Sequence, residues 1–166
     1  MHQQFFRLTS TILLVLAGAT AMAQSSGISE EWRAQLAAAR ELVQAERVAV
    51  ITEEMRFTVE ENEAFWPLYE EYRQKMLVVQ DRYADLIADY VGKHYDYKLT
   101  DADAKKILSE YFVIKDDLRK IQKSYVSKFE KIMSSIKVMR FYQLENKTQA
   151  EIDAALAIMV PLADTS

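Results

Sequence analysis

Large apolar side chains at Phe65, Tyr69, Tyr72, Met76, Val79, Tyr83, Leu86 and Tyr90 recur in steps of four and three. That spacing lays one continuous stripe along an α-helix, of the kind that packs against a partner helix. A second stripe runs through Ile107, Tyr111, Ile114, Leu118, Ile121, Tyr125 and Ile132, skipping Lys128 but with Phe129 beside the gap. Neither helix can bury its own stripe. With only a short stretch between them, the two are expected to cover each other as an antiparallel hairpin at a shallow crossing angle. The chain has little material for anything else: 166 residues contain three Gly, two Pro and no Cys. That excludes the turn-rich all-β classes, a collagenous chain, a disulfide scaffold and a Cys-ligated zinc module. The expected fold is all-α, a long antiparallel helical hairpin with additional N- and C-terminal helices, in a single domain over residues 24–166.

The junctions follow from capping chemistry. A first segment is expected from Ser29 to Ile51, with Ser29 as N-cap, Glu30 and Glu31 in the first turn, and Trp32, Leu36, Ala39, Val43 and Val50 as a thin, Ala-rich stripe. Such a stripe makes it the most loosely attached helix. The second segment opens at Thr58, with Glu61 three residues on completing a capping box, and spans about 45 to 50 Å at 1.5 Å per residue. Pro67 lacks the N–H that would reach the Glu63 carbonyl, which predicts a kink. Gly92 to Lys98 is the expected turn, and Thr100 caps the third segment, with Asp101 and Asp103 in its first turn. Ser134 and Ser135 punctuate the chain before a fourth segment, Ile136 to Val160, that Pro161 ends. Its apolar positions are Val138, Phe141, Leu144, Ile152, Leu156 and Met159, while Glu145, Thr148 and Gln149 leave the middle poorly hydrophobic. The tail from Leu162 to Ser166 is expected to fray.

Ahead of this domain, Met1 to Ala23 carries Arg7, an apolar run from Ile12 to Ala17, and Ala21 and Ala23 around Met22. This is the pattern of a secretory signal cleaved after Ala23, too short in its apolar part to span a bilayer. A soluble protein of a bacterial periplasm is therefore expected, its fold resting on packing without disulfides. Charge is unevenly spread. Residues 24–104 hold 9 basic and 17 acidic side chains, residues 105–166 hold 11 and 8. The two halves attract each other within one chain or between two chains, which points to a homodimer as one arrangement. The acidic balance and the compartment exclude nucleic acid as a partner class.

Two capped turns, Phe57-Thr58-Val59-Glu60-Glu61-Asn62 and Leu99-Thr100-Asp101-Ala102-Asp103-Ala104, stand at the starts of long amphipathic helices in this exported chain. In that it resembles the Spy/CpxP family of periplasmic chaperones and stress-accessory proteins, whose hallmark is a repeated L-T-x-x-Q; Phe57 stands where the motif has Leu. The segments FWPLYEEYR (Phe65 to Arg73) and MRFYQLENK (Met139 to Lys147) are similar to those of a less characterised branch of small exported helical proteins in the same superfamily. The resemblance implies an ATP-independent chaperone or envelope-stress accessory that binds unfolded or misfolded envelope proteins. Its alternative is a periplasmic sensor or regulator that binds a membrane signalling protein or a metal ion.

Candidate binding residues are the tyrosines of the two stripes, Tyr69, Tyr72, Tyr83, Tyr111 and Tyr125, with Tyr90 beside them. Leu or Ile would pack drier there, so the hydroxyls suggest a partly wet groove, unless they belong to core rings whose polar ends reach the rim. Lys120, Lys123 and Lys128, within a run from Lys115 to Arg140, form a basic rim that would steer acidic, partly unfolded chains, unless they serve to pair with the acidic half. Catalytic residues are not expected. The acidic pairs Glu70-Glu71 and Asp116-Asp117 point about 100° apart on a helix, and no nucleophile or phosphate-binding motif accompanies them. No cofactor is implied. His94 is the one histidine after Ala23 and reads as a solvated loop residue beside Asp96.

Overall fold

The computed structural model describes residues 30–165, so the signal expected at Met1 to Ala23 and the cap expected at Ser29 lie outside the described residues. The described chain is all-α. It comprises α1 (Glu30–Met55), α2 (Val59–Tyr95), α3 (Asp101–Phe129) and α4 (Ser135–Met159). No helix among the described residues is long and apolar enough to cross a membrane.

The two capping boxes form as their sequences require. At the start of α2, the Glu61 amide donates to Thr58 Oγ1 (3.2 Å) and the Thr58 amide donates to a Glu61 carboxylate oxygen (2.9 Å). Thr100 and Asp103 exchange the same bonds at the start of α3, each at 3.2 Å. Ser134 caps α4, accepting from the Lys137 amide at 3.4 Å. The Ser29–Ile51 segment extends to Met55, where Arg56 at φ 46° turns the chain out of the helix. Helix α2 runs as one element through Pro67, which stands exposed inside it.

The turn between α2 and α3 differs from the expectation. Gly92 lies inside α2, which continues to Tyr95, and the chain leaves the helix at Tyr97, with φ 54°. The Lys98 amide reaches back to the Lys93 carbonyl (2.9 Å) and the Tyr97 amide to the His94 carbonyl (3.1 Å), which is the double bond pattern of a Schellman cap. Glycine is the usual occupant of the left-handed position, so its presence at 92 suggests the wrong stopping point. His94 accordingly sits in the last turn of a helix, half-buried and edge-on to Tyr95 at 5.3 Å, and not in the loop.

The described residues fall into two compact units, and α2 and α4 each contribute to both. One is Met55–Tyr90 with Leu99–Tyr142. In it α2 and α3 run antiparallel, because their partners step in opposite directions: Glu71 with Tyr125, Arg82 with Asp117, Tyr83 with Tyr111. Val79, Leu86 and Ile114 are buried between them, with Tyr83, Ile107, Tyr111, Leu118 and Ile121 packed partly buried against that centre. Toward the other end the filling is aromatic. Phe65, Tyr69, Tyr72, Tyr125, Phe129 and Phe141 are each at most 1% exposed. Phe65 lies within 5.5 Å of Phe129 and 5.4 Å of Phe141, and Phe129 and Phe141 meet at 4.7 Å.

The other unit comprises the described chain up to Glu54, Val91–Lys98, and Gln143 onward. Its buried apolar residues are Val50, Ile51, Leu144 and Ala155. Between α1 and α4 lies an ion pair, Arg47 to Glu145 at 3.0 Å, with both side chains 4% exposed. Thr148, also buried, turns its hydroxyl back to the Leu144 carbonyl at 3.2 Å. Of the polar residues that mark the middle of α4, Glu145 and Thr148 are therefore interior and Gln149 is half-buried.

Candidate functional site

The stripe tyrosines divide by burial. Tyr69, Tyr72 and Tyr125 are 1%, 0% and 1% exposed, so their rings offer nothing to a client; as groove residues they are corrected to core. The physical reason is volume. Tyr72 packs edge-on to Tyr125 at 5.3 Å and Tyr69 stacks on Phe65 at 5.5 Å, filling the seam with rings where smaller aliphatics would leave space. The Tyr125 hydroxyl reaches the rim and donates to Glu71 at 2.7 Å. Tyr83, Tyr90 and Tyr111 are only half-buried, and Tyr83 and Tyr111 meet at 6.0 Å beneath the Lys115 ammonium, which is 4.8 Å and 5.5 Å from their ring centres.

The basic rim also divides. Lys128 donates to Glu71 at 3.0 Å and stands 4.2 Å over the Tyr125 ring, which makes it a strap across the hairpin. Together with the Tyr125 hydroxyl and Lys75, it holds the Glu71 carboxyl down to about 2, the hydroxyl being the largest cause. Lys137 is bound at a junction as well: it pairs with Glu61 and donates to the Arg56 carbonyl at 3.1 Å, bridging the start of α4 to the chain between α1 and α2. This contact also lowers the Glu61 carboxyl. Lys120 and Lys123 remain on the exposed side of α3, Lys120 in an exposed pair with Asp117 at 3.2 Å.

The adjacent acids face separate partners. Glu70 accepts from Gln74 at 2.6 Å while Glu71 faces α3; Asp116 pairs with Arg119 and Asp117 with Arg82 across the hairpin. Among the described residues no group of three or more His, Cys, Asp or Glu side chains is placed to hold a metal ion.

Further large apolar side chains are exposed outside the stripes. On α3, Leu108, Phe112 and Val113 are 58%, 60% and 49% exposed, although Tyr111 and Ile114 beside them face α2. At the start of α4, Ile136 and Met139 are 75% and 57% exposed, followed by the exposed Arg140, and the exposed Lys131 stands in the turn that precedes the helix. A signal existed for the first group. Tyr111-Phe112-Val113-Ile114 is apolar all round one helical turn, more than a helix with a single buried face needs. Compared with protein-family models, with curated proteins and with solved structures, the chain matches none.

Proposed function

We propose that this chain is an exported, non-enzymatic binding protein that holds partly unfolded envelope polypeptides without using ATP. The observation that carries the reading is the surface at the start of α4, where Ile136 and Met139 are presented to solvent, with the exposed cations Lys131 before and Arg140 after them in the sequence. Apolar side chains set among cations suit weak, adaptable contact with acidic chains that expose hydrophobic residues. The exposed Lys123 of α3 adds to the cationic field that would speed encounter. The tyrosines take a supporting part: the buried ring cluster keeps the framework rigid, and Tyr83 and Tyr111 are the half-exposed members. The resemblance to Spy/CpxP proteins rests on short motifs and points the same way.

The test is suppression of aggregation of an acidic, chemically unfolded client, followed by light scattering. Full-length mature protein should suppress it, and I136S/M139S should lose most of that effect with unchanged helicity. K123Q/K131Q should slow capture at low salt and flatten its salt dependence. A wild-type protein that leaves aggregation untouched would overturn the reading and turn attention to a membrane sensor as partner.

A further inference from the structure

The surface at the start of α4 carries a chemistry that client binding does not use. The chain has no Cys, so methionine supplies all of its sulfur and no thiol competes for an oxidant. Of the methionine side chains that the structure describes, Met55, Met76 and Met133 are at most 6% exposed, whereas Met139 is 57% exposed. Helix geometry separates Met139 from the core. Val138 and Phe141, three residues apart on one side of α4, are buried; Met139 lies between them in sequence and therefore points elsewhere. Ser135, Ile136, Met139, Arg140 and Gln143 are the exposed positions over the first turns of α4. Only Ile136 and Met139 among them are apolar, so one thioether supplies about half of what makes this surface hydrophobic.

We propose that Met139 is a reversible oxidation site, converted to the sulfoxide by hydroperoxides, and that this conversion switches the surface at the start of α4 from apolar to polar. The sulfur lone pair attacks one peroxide oxygen, an S–O bond forms as the O–O bond breaks, and the proton left on the new S–OH group passes to the departing hydroxide, releasing water. Sulfur gives up two electrons and the peroxide takes them. The product places a polar S=O group beside Ile136, where apolar contact is lost. Met55, Met76 and Met133 are shielded by packing, so the fold outlasts an oxidation that reaches only the surface. Exposure serves the return step as well, because a methionine sulfoxide reductase must reach the side chain it repairs. What the switch does to clients rests on the binding role proposed for this surface; the oxidation and the loss of apolar character do not, and they are read separately.

Hydrogen peroxide applied to the folded mature protein tests the proposal, with peptide mass mapping for the site, anilinonaphthalene sulfonate fluorescence for exposed apolar surface, and a melting curve for the fold. Met139 should gain one oxygen about tenfold faster than Met55, Met76 and Met133. Dye binding should fall in step with that gain to the level of untreated M139Q, without a change in the melting curve, and return after treatment with both methionine sulfoxide reductases. M139L keeps an apolar side chain without sulfur, so its dye binding should be indifferent to peroxide. Oxidation of Met55, Met76 or Met133 as early as Met139 would overturn the proposal. So would dye binding that is unchanged by oxidation of Met139, that falls equally in M139L, or that the reductases do not restore. Loss of dye binding on oxidation in a protein that never suppresses aggregation would leave the switch standing and remove the client reading alone.

Discussion

The two units of this chain are held by opposite kinds of chemistry. In the unit of Met55–Tyr90 and Leu99–Tyr142, six aromatic rings at most 1% exposed touch one another repeatedly, so each is supported by several neighbours. In the other, a few aliphatic residues flank one buried Arg47–Glu145 pair. Ring packing is non-directional and redundant, and the loss of one ring leaves a cavity whose cost scales with its size. A buried ion pair depends on both members. Desolvation offsets much of its attraction, so it contributes little net stability while making either partner very costly to remove alone. Here Arg47 Nε and Glu145 Oε1 have no further protein partner among the described residues, which leaves the desolvation only partly compensated.

The largest expected effect breaks the aromatic side. Phe141 touches Phe65, Tyr69, Tyr72 and Phe129, so Phe141→Ala should cost about 4 kcal/mol, read from urea unfolding. A cost below about 1 kcal/mol would show that the ring cluster relaxes to fill the gap and is not the rigid side of the comparison.

Next comes the pair itself. Glu145→Leu alone should cost about 3 kcal/mol by leaving a buried guanidinium uncompensated, whereas Arg47→Met with Glu145→Leu should be neutral or stabilising. The contrast between single and double variants is the measurement; two additive losses would mean the pair is a true source of stability. Little of this site is legible in the sequence. Helical periodicity finds buried positions by their apolarity, and Arg47 and Glu145 are charged and separated by 98 residues. The hairpin, by contrast, is legible nearly throughout, because its capping boxes are local and its stripes are long. What the stripes do not show is how far the rings fill the seam: the same spacing fits a wet groove and a dry core, and only the volume of the neighbours decides. Likewise Leu108 and Phe112 are as apolar as Ile107 and Tyr111, and their exposure depends on which side of α3 meets α2.

A smaller effect belongs to the helix end at Tyr97, in the less aromatic unit. A tyrosine held at φ 54° pays the steric cost of the left-handed region, and with the side chain 93% exposed little packing is lost on its removal. Tyr97→Gly should therefore stabilise by about 1 kcal/mol, seen as a higher melting temperature. Gly92 offers the control, since Gly92→Ala inside α2 meets nothing within 4 Å and should also stabilise, through helix propensity.

The two units should finally part company with pH. Glu71 is held down to about 2 by the Tyr125 hydroxyl, Lys128 and Lys75, so its contribution to the aromatic unit is present above the ordinary carboxylate range and is lost as pH falls from there toward 2. Glu151, in the other unit, is shifted the opposite way, first by burial and then by the charge of Glu46. A raised carboxyl favours the fold while protonated, so this contribution is present below the ordinary range and is lost as pH rises through the raised value. Glu151→Gln should then raise the melting temperature at neutral pH, and the gain should vanish in acid. Glu71→Gln should lower it at neutral pH, with the difference closing only as pH approaches 2. Glu71 is exposed and Glu151 only half-buried, so each shift in melting temperature should be small, and its sign and pH dependence carry the result. Two variants that respond to pH in the same direction would remove the electrostatic half of the contrast between the units and leave packing alone to account for it.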